Sequence, residues 1–360
     1  MHIPDGYLSP STCATLYALA AAGWYSALGQ IKRRVATRTI PLISVFAAFS
    51  FVVMMFNVPL PGGTTGHAVG VAVAAIVLGP WGSMLSISIA LAIQALFFGD
   101  GGITTLGANC FNMAIVGSFV AYGVYCVIGR GTDLRSRRRV LAAAAAGYVA
   151  INASAFVTAL EFGIQPALFH DPSGSPLYAP YPLRVAIPAM MIGHLAVAGL
   201  AEGVISAGMV SYLQRADLML LRGVENPARE SKTALTPANR QSPRRLWWVV
   251  ASLMLLTPLG ILAAGSAWGE WSSNELASRQ TRAHIESASG NQAAPASAPA
   301  GLQRLSNVWT APFPRYAPKF IKNPAFGYLL SAMFAVGFLG LASLLTGFAG
   351  RRRWTIGERS

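Results

Sequence analysis

Long uncharged runs alternate with short basic ones along this chain, and the alternation predicts its architecture. A helix that crosses a bilayer needs about 20 mostly apolar residues. Such helices are expected at 9–31, 40–57, 108–129, 140–160, 184–213, 246–265 and 326–348. The uncharged stretch from His67 to Gly99 is too long for one of them. Gly79-Pro80-Trp81-Gly82 interrupts it in the middle, so two helices joined by a tight turn are expected there. The pattern is that of an all-α polytopic membrane protein. About seven helices form a core, and two more flank a polar loop at 267–323. Within that loop, residues 287–301 are a low-complexity mixture of Ser, Ala, Pro, Gly and Gln, a composition that predicts no structure of its own.

Charge sharpens this picture. Only 11% of residues are charged, against about 25% in an ordinary soluble domain. The net charge of +14 invites a nucleic-acid reading, but its placement opposes one. Of the 27 Lys and Arg, 20 fall in 32–38, 130–139, 215–245 and 351–359, between or after the apolar runs. That is the positive-inside distribution of a multi-pass protein of the cell membrane. It puts the N-terminus outside and the C-terminus in the cytoplasm. The loops 57–66, 99–107, 164–183 and 267–323 are then external. The chain divides into a membrane core (1–215), a basic cytoplasmic linker (216–245), an accessory two-helix region (246–350) and a basic tail (351–360). Cys13, Cys110 and Cys126 lie in apolar stretches without CxxC spacing and read as packed thiols.

The candidate chemistry sits at the start: Met1-His2-Ile3-Pro4-Asp5-Gly6. His2 is bulky, so Met1 is expected to be retained. The amine of Met1, the amide nitrogen of His2 and its imidazole are able to grip one metal ion in adjoining chelate rings. One in-plane position stays open, and His67 is the candidate to fill it. Terminal amines and imidazoles give up protons near neutral pH. An amide nitrogen does so only for a metal that forms strong in-plane bonds, such as Ni(II) or Cu(II). Asp5 is a candidate to pin an imidazole from behind. Asn109 and Asn112, three apart on one helix face beyond a Gly-rich loop at 99–107, are candidates to hold the N-terminal segment. That loop has no P-loop lysine, so phosphate is not expected. His194 and Glu202, two turns apart inside one span, suggest a structural or coupling pair. His170 and His284 read as solvated loop residues. No catalytic constellation appears, so the expectation is a transport component, not an enzyme. A metal sensor without a transport cycle and a carrier of an organic solute are the alternatives.

These residues resemble a known family. Met1 to Gly6 with Leu8-Ser9-Pro10, Gly62-Gly63-Thr64 before His67, Gly107-x-Asn109-x-x-Asn112-Met113, and His194 through Glu202-Gly203 are similar to the CbiM/NikM substrate-specificity subunits of energy-coupling-factor transporters for cobalt and nickel. The resemblance spans roughly 1–215. Residues 246–350 look like a fused CbiN/NikN-type accessory subunit, although Ser273-Asn274-Glu275-Leu276 stands where many fusions carry Pro-Asp-Gly-Leu-Glu. The resemblance implies Co2+ or Ni2+ as substrate, held by Met1, His2 and His67. It implies as partners a membrane coupling subunit and cytoplasmic ATPases, and no cofactor or nucleic acid. The accessory region is expected to assist loading without supplying a ligand.

Overall fold

The computed structural model describes residues 1–33, 39–60, 64–224, 244–263, 266–318 and 320–357. Much of the basic loop at 32–38, most of the linker 216–245, Pro61-Gly62-Gly63 and the end of the basic tail lie outside these residues. The apolar runs fold as helices. α1 is Pro10–Arg33 and α2 is Thr39–Met54. A small antiparallel hairpin follows, β1 Val58–Leu60 with β2 Thr64–Gly66, in which Pro59 faces Thr65. α3 is Val71–Ile93, prolonged by a wider π-helical turn to Phe98. α4 runs over Leu106–Gly129 and α5 over Arg137–Leu168. α6 occupies Leu183–Ala216. α7 covers Arg244–Leu256 and tightens to a 3-10 turn through Leu262. Three short helices occupy the long loop, α8 Ser273–Ala277, α9 Arg279–Ala288 and α10 Ala300–Leu305. The last helix, α11, is Pro324–Gly357.

Among the described residues, six helices are long and apolar enough to cross a membrane, and α2 is a shorter apolar one. Val127, Leu141, Val204 and Leu344 point outward from four of those six. Large apolar side chains on the outside are what a lipid solvent requires. The protein is a multi-pass membrane protein.

The break foreseen in the 67–99 run is real, and its geometry is a hairpin. Gly79 has φ 73° and ψ 171°, a backbone region that essentially only glycine occupies. The hydroxyl of Ser83 then reaches the carbonyl of Val71 at 3.4 Å. Twelve residues of continuous helix would separate those groups by roughly 18 Å. The arm 71–78 therefore folds back on the arm that follows Pro80. At about 12 Å it is too short to cross a bilayer alone. Glu202 of α6 holds its start: the carboxylate accepts the N–H groups of Val69 and Gly70 at 2.7 and 2.9 Å. These are donors that a helix N-terminus leaves unsatisfied.

The long loop at 267–323 is more ordered than its composition suggests. Gly301 N–H donates to Leu177 O at 2.7 Å, and Ala298 and Leu302 are buried. The small side chains that make 287–301 look structureless let its backbone lie directly on the core. The two C-terminal helices attach nearby: Tyr328 on α11 donates to Met55 O at 3.0 Å.

Candidate metal centre

The first nine residues are not a free terminus. Met1, His2, Ile3, Tyr7, Leu8 and Ser9 are all buried. Ile3 anchors them through its main chain. Its N–H donates to Asn109 Oδ1 at 2.8 Å. Its carbonyl accepts from Gly102 N–H at 2.9 Å, Asn109 Nδ2 at 3.1 Å and Thr105 Oγ1 at 2.5 Å. The Gly-rich loop is the bed for this hook. A Cβ on Gly102 would stand 2.3 Å from the Asp5 nitrogen, so only glycine permits the crossing. Farther along, Tyr7 O accepts from Ala179 N–H at 3.0 Å and Ser9 N–H donates to Gln165 Oε1 at 3.0 Å.

This insertion brings His2 against His67. Their ring centroids are 4.9 Å apart, and His67 Nε2 lies 3.2 Å from His2 Nδ1. Nδ1 is also the ring nitrogen that closes a six-membered chelate with the amide nitrogen of its own residue. Two cis ligands at metal–nitrogen distances of about 2.0–2.1 Å stand roughly 3 Å apart. The separation therefore suits a single ion held between the rings.

The neighbours determine which nitrogens carry protons. His67 Nδ1 faces the carbonyl of Ala68 at 3.1 Å and must donate, which leaves Nε2 with a lone pair. Gln94 Nε2 donates to Asp100 Oδ2 at 3.3 Å and to the hydroxyl of Tyr316 at 3.0 Å. Its Oε1 therefore faces His2 Nε2, at 3.2 Å, and accepts that proton. Nδ1 of His2 is thus the ring nitrogen left to face Nε2 of His67. Asp100 Oδ1, 3.2 Å from the same Nδ1, adds negative charge, and Tyr316 donates to Asp100 Oδ2 at 2.5 Å. Two ring nitrogens facing each other beside a carboxylate are donors suited to a cation. Burial pushes the His67 pKa well below the usual imidazole range, and the nearby His2 and terminal amine push it further. The ring is therefore kept neutral, as a ligand must be. The Met1 amine is paired with Glu270 Oε1 at 2.9 Å.

Among the described residues, no three His, Cys, Asp or Glu side chains are grouped to hold a metal. The candidate donors at the N-terminus are of another kind, since two of them are main-chain nitrogens. Asp5 corrects an expectation. It does not reach an imidazole; it accepts from Thr104 N–H and Oγ1 at 2.7 and 2.5 Å and from Ile103 N–H at 3.2 Å, so it clamps the Gly-rich loop. Gln94 stands behind the His2 imidazole instead, and Asp100 lies beside its Nδ1. Asn109 lies against the hook, whereas Asn112 turns away and donates to Thr158 and Glu161 at 3.1 and 2.7 Å. His194 Nδ1 faces Met190 O at 2.8 Å within its own helix, and Glu202 caps the short arm of α3. His170 and His284 are exposed. Asp100, Glu270 and Tyr316 escape sequence reasoning because their partners lie far away in the chain. The one available signal was the polar Gln94 inside an apolar run.

Comparison with known proteins gives this geometry its context. The family described as "Cobalt uptake substrate-specific transmembrane region", CbiM, matches residues 2–220. The chain belongs to the CbiM family. It is similar over nearly its whole length to the fused nickel transport protein NikMN of Rhodobacter capsulatus, with 50% identity across 94% of this chain and 95% of that one. It is 35% identical to the cobalt transport protein CbiM of Geobacter sulfurreducens across 62% of this chain and 63% of that one. A crystal structure of a truncated transition metal transporter superposes with a TM-score of 0.56 at 50% identity, covering 59% of this chain and 98% of that one. The CbiM-like core is thus followed by a fused NikN-like C-terminal region. As a member of this family, the chain is a membrane component of metal uptake.

Proposed function

We propose that this protein is the substrate-binding subunit of an ATP-driven energy-coupling-factor transporter that imports divalent nickel or cobalt. The ion is held by the Met1 amine, the amide and Nδ1 of His2, and Nε2 of His67. One observation carries the reading: two buried imidazoles face each other, His67 Nε2 lying 3.2 Å from His2 Nδ1, beside the carboxylate of Asp100. The names of the relatives, nickel transport and cobalt transport, agree with it. A planar nitrogen set disfavours Mg, Ca, Mn and Zn, which form no strong bond to a deprotonated amide. The hook faces outside, so the ion is captured there. A coupling subunit and cytoplasmic ATPases supply the motion that releases it inside, since the chain carries no nucleotide motif of its own.

The test is titration of the purified protein with Ni(II) and Co(II), with and without one residue added before Met1. Extension should abolish tight binding, as should His2→Ala or His67→Ala, while membrane insertion persists. Equal affinity in the extended protein would refute the amine-anchored site. Uptake into vesicles containing the ATPase partners separates a transporter from a metal sensor.

A further inference from the structure

The C-terminal region supplies no ligand in the reading above, yet one of its side chains touches the ligand set. Glu270 Oε1 lies 2.9 Å from the Met1 amine, and the two residues are 20% and 1% exposed. The contact joins a fully buried cation to a carboxylate that water still reaches.

Glu270 is held firmly in place. Its N–H donates to Ala267 O at 3.0 Å and closes a tight turn. Gly269 sits in that turn at φ 82°, where a Cβ would come 2.6 Å from the Phe162 ring. Trp268 packs its ring against Phe162 and Tyr181, 6.0 and 5.9 Å between centroids. Trp271 O accepts from the Tyr7 hydroxyl at 2.7 Å, which fixes the turn to the hook. Ala267 forms a parallel bridge with Thr65, two residues before His67. The turn is therefore tied to the segments that carry both imidazoles.

We infer that Glu270 is the entry and positioning residue of the metal site: its carboxylate holds the N-terminal amine at the mouth of the site and offers an oxygen to the arriving divalent cation. The inference rests on the amine-anchored site proposed above. Met1, His2 and His67 are 2%, 1% and 5% exposed, so a hydrated ion cannot meet them first. Glu270 and Asp100, each 20% exposed, are the charged groups beside them that solvent reaches. A carboxylate oxygen replaces one water of the ion, and the nitrogens then replace the carboxylate. The amine and the His2 amide each give one proton to solvent as they bind the metal, and the amine keeps two N–H groups. Glu270 therefore retains a hydrogen-bond partner after loading.

The experiment uses the full-length protein in detergent micelles and follows Ni(II) association by stopped-flow tryptophan fluorescence. Wild type, Glu270→Gln, Glu270→Ala and the N-terminally extended protein are compared. Glu270→Ala should slow association roughly tenfold, and Glu270→Gln nearly as much, because the amide keeps an acceptor but loses the charge. The wild-type rate should fall as salt rises, and the slope should flatten in Glu270→Gln. A purely structural role would raise the dissociation rate and leave the salt slope alone. A wild-type rate and slope in Glu270→Gln overturns the inference, as does unfolding of both variants. Normal Glu270→Gln kinetics with binding lost on extension sinks this inference only. Full affinity in the extended protein sinks the site itself.

Discussion

At the scale of single residues, the site depends on which atoms carry protons. His2 and His67 are fixed from behind by Gln94 and the Ala68 carbonyl, and Asp100 supplies the charge. Asp100→Asn keeps the shape and removes the charge. Nickel affinity should fall by about 10–100-fold, the usual loss when a residue that supports a ligand is removed. Isothermal titration at constant ionic strength measures it. The lowered pKa of His67 has a consequence for stability. The folded protein keeps this ring neutral, whereas the unfolded chain protonates it near pH 6.5. The unfolded state then binds the extra proton, so the metal-free protein should lose stability as pH falls below about 6.5, by up to ~1.4 kcal/mol per pH unit. Melting scans from pH 7.5 to 5 should show that loss, and it should shrink in His67→Gln.

At the scale of elements, two glycine positions and one carboxylate build the site. Gly102→Ala places a methyl group 2.3 Å from the Asp5 nitrogen, so the hook has to lift from its bed. Metal binding should be lost while the helical circular dichroism is unchanged; retained affinity would show that the hook binds without lying there. Glu202 and Gly79 shape the short arm that follows His67. Much at this scale was legible beforehand. The helices follow from uncharged length, and the turn at Gly79-Pro80 from its breakers. The details that were not legible share a cause. Asp5 sits near His2 in the chain, but an extended segment does not reveal which loop crosses it, and the loop at 102–104 claimed the carboxylate. The order within 287–301 depends on a surface supplied by Leu177, and no local composition encodes that.

Across the whole molecule, the two regions meet at the proposed metal centre and not merely side by side. Tyr316, from beyond the long loop, donates to Asp100, which in turn contacts His2. Burial and the Asp100 charge hold the Tyr316 pKa well above its ordinary value, so the hydroxyl remains a donor throughout the physiological range. Tyr316→Phe should weaken nickel binding by about tenfold with no loss of either helical region. The reading is a competition assay against a chelator of known affinity, and an unchanged constant would show that the fused region does not tune the site. Tyr316 also stacks on Phe98, 4.8 Å between centroids, so the substitution keeps the packing and tests the hydroxyl alone.

The hook also constrains the order in which the protein is made. Met1 and His2 are made well before their partners Gln94, Asp100, Glu270 and, behind these, Tyr316. The segment that bears the ligands must wait through most of translation before its last contacts exist. A chain arrested before residue 270 has the imidazoles but not the carboxylate that receives the amine. The proposed site is thus completed only after the fused region has been made.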